Sequence, residues 1–259
     1  MSSDSGRHPK ARVRAAVPTE LEDVACVLTR AFVNDPAMNW FGGVKEPVRD
    51  LDNPGTRSEQ KTVRNQNWFQ RAAVKATFLI NGFIDVVVIP GSSSESKGEK
   101  EEIVAVAIWF PPGESLDLSP VTFVRAGLLR VIWGWGFSGG KRMLVDFSPA
   151  IEDSLAKSFK GRGLDRQDSW YLMEIVVDPV HQGKGYTTML MDAGFQRTTP
   201  KPVHLEATKA RTRDIYAHYG FEIDEEHQFG VGAVDMNGLK ARGDAATGYP
   251  EWVMTKVRA

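Results

Sequence analysis

Apolar residues along the chain follow two kinds of spacing, one typical of helices and one typical of strands. Positions three and four residues apart predict helices at about 21–32, 58–79, 119–133, 148–159, 185–195 and 211–219. Short runs rich in β-branched and aromatic residues predict strands at about 11–16, 83–89, 103–110, 170–177, 203–207, 221–229 and 252–257. Because strands and helices alternate, the pattern predicts one α/β domain with a mixed sheet.

Turn and cap residues predict where the first elements begin and end. Thr19 and Glu22 have the spacing of a capping box, in which each side chain bonds the other residue's backbone NH. Pro36 disfavours helical geometry at Asp35, so we expect the first helix to end there. Residues 41–58, rich in Gly, Pro, Asp and Asn, predict an irregular loop.

The middle of the chain predicts an insertion rather than a second domain. Residues 114–165 show helical patterns and no strand pattern, and the glycines at 134–140 are expected to end the first of these helices. We expect a disordered leader at 1–10, one domain over 11–259, and an exposed polar hairpin connection at 91–98.

Composition excludes several functional classes. The chain has 32 Lys and Arg against 33 Asp and Glu, so it lacks the basic excess of a dedicated nucleic-acid binder. It has one cysteine, Cys26, so no intramolecular disulfide is expected, and no apolar run approaches the roughly 20 residues of a membrane-spanning helix. The histidines lack metal-ligand spacing. These features predict a cytoplasmic protein without a metal, a membrane or a nucleic-acid partner, either a monomer or a homodimer.

One segment has the arrangement of a phosphate site. A strand ending at Val177 runs through a glycine loop, Gln182 to Gly185, into a helix. Backbone NH groups and the positive end of the helix dipole then point toward one place, which suits a phosphate. The loop lacks the third glycine of a dinucleotide fingerprint, and no Walker A sequence is present.

The same segment resembles the acetyl-CoA loop of the GNAT family of N-acetyltransferases, usually written [QR]-x-x-G-x-[GA]. Gln182-Gly183-Lys184-Gly185-Tyr186-Thr187 matches every fixed position except the last, where Thr187 replaces Gly or Ala. Val177-Asp178-Pro179 before it is also typical of that family. Downstream, Tyr216 with Gly220-Phe221 resembles the family's LYxxxGF signature.

This resemblance implies a fold, a cosubstrate and a reaction. The fold would be a mostly antiparallel central sheet flanked by helices, here with the helical insertion before the fourth main strand. The reaction would be direct transfer of an acetyl group from acetyl-CoA to an amine. The family's asparagine that touches CoA has no counterpart at 209–213, where a basic residue could meet the phosphates instead. The implied cofactor-binding residues are Val176, Val177, Gln182, Gly183, Lys184, Gly185, Tyr186, Thr187 and Arg211.

Two residues are candidates for the proton transfers. Glu174 is the only acidic residue in the strand segment 171–177, and several family members have a carboxylate at this position that acts as general base. The alternative is that strand alternation turns it to solvent or to a structural partner. Tyr216 occupies the position of the family's proton donor to the thiolate, and the alternative is a core tyrosine.

The acceptor side is less constrained by the sequence. Trp40, Phe41, Trp109 and Phe110 could line a pocket, with Asp35 or Glu174 meeting a cationic amine, although core packing is the alternative for each aromatic residue. Segments 31–36 and 109–113 resemble the branch that includes puromycin N-acetyltransferase, which implies a small-molecule amine as acceptor. A protein N-terminus as acceptor and a non-catalytic CoA-binding domain are the other two interpretations.

Overall fold

The computed structural model describes residues 8, 10–91, 101–114 and 119–258. Its strands are β1 (Arg12–Ala15), β2 (Phe83–Pro90), β3 (Glu101–Phe110), β4 (Trp170–Val177), β5 (Val203–Ala207), β6 (Glu222–Phe229) and β7 (Tyr249–Lys256). Its α-helices are α1 (Leu21–Phe32), α2 (Pro36–Gly42), α3 (Arg57–Leu79), α4 (Pro120–Ala126), α5 (Leu128–Lys141), α6 (Ser148–Gly161), α7 (Tyr186–Thr198) and α8 (Ala210–His218). The predicted leader and hairpin connection lie largely outside the described residues.

The seven strands form one sheet in the order β1-β2-β3-β4-β5-β7-β6. All neighbouring strands are antiparallel except β4 and β5, which are parallel. This arrangement confirms the expected mixed, mostly antiparallel sheet. It also places the single parallel pair at the centre of the sheet, where the two halves of the chain meet.

The parallel pair separates soon after it forms. Only Trp170 with Val203 and Tyr171 with His204 are paired between β4 and β5. Further along, no residue of β4 is paired with β5 among the residues that the structure describes, although β4 stays paired with β3 and β5 with β7. We call the opening beyond these two pairs the fork. Within it, β4 has a bulge near Met173, where its register with β3 shifts.

Helices cover both faces of the sheet. One face packs against α7 and α8 around a core that includes Trp109, Leu190 and Met254. The packing there is tight, because a Cβ on Gly194 of α7 would lie 2.2 Å from the Trp109 ring. The other face packs against α1 and α3 near β2 to β4, and against α2, α5 and α6 near β6 and β7.

The structure around the first helix differs from the prediction in two places, before its start and after its end. The capping box at Thr19 and Glu22 is wrong, because a 3-10 turn at Pro18–Glu20 precedes α1 and the Glu20 carboxylate instead accepts from the Val17 backbone NH at 2.9 Å. Pro36 starts a further helix, α2, that the sequence analysis did not predict. Proline is suited to this first helical position, since it has no NH to leave unpaired.

Between β3 and β4 the described residues form three α-helices, a π-helical turn at Arg142–Phe147 and a 3-10 turn at Arg166–Asp168. The predicted helix end at the 134–140 glycines is wrong. The break instead falls at Gly127, whose φ is 95°, and the next helix continues to Lys141 with a kink at Gly136, whose φ is 73°. Throughout the described ranges, no helix combines the length and the apolar character needed to cross a membrane.

Candidate functional site

The glycine loop joins the end of β4 to the start of α7. After Val177 the chain makes a 3-10 turn at Pro179–His181 and enters α7 at Tyr186. Gly183 and Gly185 have φ values of 77° and 75°, a left-handed conformation that side chains with a Cβ rarely adopt. A Cβ on Gly183 would meet nothing within 4 Å, so backbone conformation rather than space requires glycine there. The first turn of α7 therefore presents its backbone NH groups at an open loop.

Side chains around this loop fix its path. Asp178 accepts from the Val180 NH at 3.1 Å and pairs with Arg30 Nε at 2.8 Å. Gln182 Nε2 donates to the Val177 carbonyl at 3.5 Å. The β4-to-α7 connection is thereby held on one side by α1 and on the other by its own turn.

A cavity of about 710 Å³ lies between the start of α7 and α8. Two of the predicted cofactor-binding residues, Thr187 and Arg211, line it together, and the remaining lining residues are Thr188, Asp214, Ile215, His218 and Tyr219. The structure therefore brings the loop and the basic residue of α8 to one place. Their positions suit a ligand whose phosphates lie at the helix N-terminus.

The other predicted cofactor-binding residues do not line this cavity, and their side chains lie in different surroundings. The Tyr186 ring is buried in the core beneath α7, so only its backbone faces the loop. Lys184 Nζ lies 3.2 Å from His181 Nδ1. The Val176 side chain is buried against the α1 and α3 side of the sheet, and Val177 packs on the opposite side.

Glu174 lies on β4 inside the fork, just beyond the bulge. It is 6% exposed, and Gln70 Nε2 of α3 donates to its Oε1 at 3.1 Å. Its Oε2 is buried without a hydrogen-bond partner in the described part of the chain. Burial raises the pKa of this carboxyl to about 8, and the hydrogen bond from Gln70 offsets part of that rise. The bulge on β4 thus turns Glu174 inward toward α3, not to solvent.

Tyr216 lies on α8, the helix that follows β5. The residue is buried beside Phe221, with the two ring centroids 6.0 Å apart. Its hydroxyl makes no hydrogen bond with any residue in the described ranges. Burial, and then the nearby carboxyl groups of Asp35 and Glu206, raise the pKa of Tyr216. The hydroxyl therefore stays protonated and is free to donate.

Comparisons with known proteins agree with this geometry. No protein-family model matches the chain. The chain is 31% identical over 125 residues to an uncharacterized N-acetyltransferase of Schizosaccharomyces pombe, a match that covers 48% of this chain and 49% of the yeast protein. The chain thus spans about half the length of this curated relative.

Solved structures extend the likeness over nearly the whole fold. A histone acetyltransferase HPA2-related protein of Corynebacterium glutamicum is 20% identical, covers 96% of this chain and 97% of its own, and has a TM-score of 0.52. A polyamine N-acetyltransferase of Drosophila melanogaster is 12% identical, covers 96% of this chain and 100% of its own, and also has a TM-score of 0.52. The chain has the fold of these acetyltransferases.

Within this GNAT fold, the predicted acceptor residues do not form one group. Asp35 is buried at the start of α2, where it caps the helix through the Ala37 NH at 3.0 Å and accepts from Thr208 Oγ1 at 2.6 Å. Trp40 stacks on Phe229, with centroids 5.4 Å apart, and lines a second cavity of about 480 Å³ near α5. Trp109 lies on the opposite face of the sheet from Glu174, so the two side chains do not line a common space.

Three side chains at the fork were missed by the sequence analysis. The Tyr171 hydroxyl donates to Glu206 Oε2 at 2.7 Å, and the His204 ring stacks on Tyr171 at 4.9 Å with an interplanar angle of 5°. One signal was available for Glu206: it is the only acid in Val203–Ala207, the same feature that identified Glu174 on its strand. No group of three or more metal-ligating side chains occurs within the described ranges.

Proposed function

We propose that the chain is an acetyl-CoA-dependent N-acetyltransferase whose acceptor is an amine of a small molecule. The observation that carries this proposal is the placement of a shielded carboxyl group beside a phosphate-binding loop. Glu174 lies three residues before the end of β4, and the loop with Gly183 and Gly185 follows that same strand. One short segment thus supplies both a binding element and a proton acceptor.

The residues around the loop fit acetyl-CoA. Backbone NH groups of residues 183–187 would hold its pyrophosphate, and the Arg211 guanidinium faces the same cavity. Thr187 lines this cavity too, so its hydroxyl serves as a further donor and its methyl group does not close the space. When bound, acetyl-CoA supplies the acetyl group as a thioester.

Glu174 and Tyr216 are placed for the two proton transfers. An alkylamine has a pKa near that of lysine, about 10.4, so it arrives as an ammonium ion and must lose a proton. Glu174 Oε2, which has no partner among the described residues, takes that proton directly or through water. The Tyr216 hydroxyl donates its proton to the departing sulfur, and the second proton that the nitrogen loses as the amide forms restores this hydroxyl. Both groups act without a covalent bond between enzyme and acetyl group.

A small acceptor is favoured over a protein surface by the burial of Glu174 beneath α3. A rigid folded surface cannot bring an amine to a side chain that is 6% exposed, so the acceptor group must be small enough to reach Glu174. The Drosophila protein that shares the fold forms N-acetylagmatine, a small amide, and the yeast relative is named as an N-acetyltransferase. The Drosophila protein supports the small acceptor, and the yeast relative supports transfer to nitrogen.

The decisive experiment measures thiol released from acetyl-CoA with and without a panel of amines. We expect many turnovers per chain with one or more small amines. Cys26, the single exposed thiol, adds at most one equivalent to the signal. Release only with peptides carrying a free N-terminus would point to a protein acceptor. Binding of acetyl-CoA without turnover on any amine or peptide would identify a non-catalytic domain and reject the proposal.

A further inference from the structure

Glu206 and Glu174 lie on the two strands that separate at the fork. Glu174 comes three residues after Tyr171 on β4, and Glu206 comes two residues after His204 on β5. Both strands run in the same direction, so both carboxyl groups lie beyond the last paired residues. The bulge at Met173 turns Glu174 to the α3 side of the sheet, which is also the side of Tyr171.

Tyr171 places Glu206 at the same opening. Its hydroxyl reaches across the strand boundary to Glu206 Oε2 at 2.7 Å, and its ring is held by stacking on His204. Burial raises the pKa of Tyr171 most, and the charges of Glu206 and Glu174 raise it further, as expected when one hydroxyl lies near both carboxyl groups. The fork therefore contains two carboxyl groups with a phenol close to both.

The two carboxyl groups differ in exposure and in charge. Glu174 is almost completely buried, whereas Glu206 is partly exposed. Burial raises the pKa of Glu206 to about 7, and Tyr171 and Arg166 both act to lower it. Glu206 thus carries negative charge more readily at neutral pH than Glu174.

The negative charge of Glu206 is not neutralised by a cation from the described part of the chain. No lysine, arginine or histidine forms an ion pair with Glu206 within those ranges, and the nearby Arg166 is paired with Glu152 at 2.5 Å. A partly buried carboxylate without a counterion is costly, and a cationic ligand would remove that cost. Beside it, Glu174 Oε2 and the Tyr216 hydroxyl also have no hydrogen-bond partner among the described residues. A carboxylate without a cation and two groups with an unused hydrogen-bonding position thus lie near the fork.

We propose that Glu206 is the binding residue for the ammonium group of the acceptor, and that Glu174 then removes its proton. This inference rests on the proposed function and divides the acceptor chemistry between two carboxylates. Glu206 holds the cation where β4 and β5 separate, and Tyr171 is a positioning residue that fixes the Glu206 carboxylate. One ammonium proton passes to Glu174, and the neutral amine keeps its lone pair for attack on the acetyl carbon. The enzyme should therefore prefer acceptors that are cationic at neutral pH.

The test compares Glu206→Gln with wild type on two probes, 2-phenylethylamine, which is cationic at neutral pH, and p-anisidine, which is mostly uncharged. The amide oxygen introduced by this substitution can still accept the Tyr171 hydrogen bond, so the fold should persist, and thermal unfolding checks this. We expect the KM for 2-phenylethylamine to rise about 10- to 100-fold, the loss typical of one charged hydrogen bond. The KM for acetyl-CoA and the rate with p-anisidine should change little. Glu222→Gln, at an exposed carboxylate on β6, is the matched control.

A binding measurement separates this inference from the proposed function. Calorimetry of 2-phenylethylamine with the CoA-bound protein needs no turnover, so it reports on Glu206 even if no acetyl transfer occurs. At least tenfold weaker binding to Glu206→Gln supports the inference. Unchanged binding, an equal loss with both probes, or no binding of 2-phenylethylamine to wild type would overturn it.

Discussion

At the scale of single residues, the site depends on how far each carboxyl group is shielded from water. Glu174 accepts one hydrogen bond, from Gln70, and its other oxygen has no partner among the described residues. Because burial raises the pKa of Glu174 to about 8, its neutral form is favoured below about pH 8. Glu206 has a stronger donor in Tyr171 and more exposure, and its pKa is about 7. One strand pair thus presents two acids with different ionisation, a pattern common where two carboxyl groups have separate tasks.

Replacing Glu174 by Gln should give a defect that depends on pH. With Glu174 ionised above about pH 8 and the amine still protonated, wild-type kcat/KM for the amine should reach a plateau there. The Glu174→Gln protein must rely on free amine, whose fraction keeps rising up to about pH 10. The defect should therefore be largest at pH 8 and below and should narrow above it. Kinetics from pH 6 to 10 check this, and a pH-independent defect would assign Glu174 a structural role.

Replacing Tyr216 by Phe should separate catalysis from binding. The hydroxyl has no hydrogen bond to lose among the described residues, and the ring contact with Phe221 remains. Loss of general acid catalysis typically costs 10²- to 10⁴-fold, so kcat should fall by about that factor while acetyl-CoA affinity is nearly unchanged. Joint loss of affinity and stability would instead identify Tyr216 as a core residue.

Residue types and positions allowed part of this site to be predicted. Glu174 was recognisable as an acid in an apolar strand, and its inward direction follows from the bulge, which no spacing in the sequence marks. Glu206 is likewise the only acid in β5, but its role could be recognised only from its contact with Tyr171 at the fork. Contacts between distant segments, such as Gln70 with Glu174, depend on how α3 packs on the sheet, so the local sequence around either residue does not indicate them.

At the scale of elements, the start of α7 is a boundary that the sequence predicted accurately. The sequence predicted a glycine loop between a strand and a helix, and the structure has it there, with positive φ at both Gly183 and Gly185. The start of α2 was missed because Asp35-Pro36 serves equally well to end one helix or to begin another. The helix end predicted near 134–140 was wrong because glycines can also lie within a helix. Helix α5 includes all of these glycines, and within α5 only Gly136 departs from helical geometry.

Replacing Gly185 by Val should remove cosubstrate binding. A β-branched residue at φ 75° is strained and would alter the path of the backbone at the helix start. Acetyl-CoA at 100 times its Kd should stabilise wild type by about 2.7 kcal/mol, and we expect this thermal shift to vanish in Gly185→Val. Gly163→Val is the matched control, because Gly163 also has a positive φ of 66° and open space around it but lies after α6. If both variants keep the shift, the loop does not bind the ligand.

At the scale of the whole molecule, the buried acids link stability to pH. The folded pKa of Glu174, about 8, exceeds its unfolded value, about 4.3, so the unfolded chain releases a proton that the folded chain keeps. The free energy of unfolding therefore falls as pH rises between these values. His204 acts in the opposite direction, because burial lowers its pKa to about 3 and the unfolded chain gains a proton below about pH 6.5.

Glu174→Gln should accordingly be more stable than wild type near neutral pH. The glutamine is neutral at every pH, so the gain should approach at most about 4 kcal/mol at pH 7 and disappear near pH 4. The His204 contribution is common to both proteins and cancels in the difference. Urea unfolding of both proteins at the two pH values measures the gain. A variant that is less stable at both pH values would show that the Glu174 carboxyl group makes stabilising contacts besides its hydrogen bond with Gln70.

The fork also determines how stiff the molecule is. Among the described residues, strands β1 to β4 and strands β5 to β7 are joined within the sheet by two residue pairs, so backbone hydrogen bonds offer little resistance to a rotation of one group against the other. Helix α3 has residues in both cores on its face of the sheet and adds to that resistance. A ligand bonded to both β4 and β5 would join the two groups directly and restrain the rotation. Binding would then stiffen the centre of the molecule, and amide hydrogens in the second half of β4 would exchange with solvent more slowly.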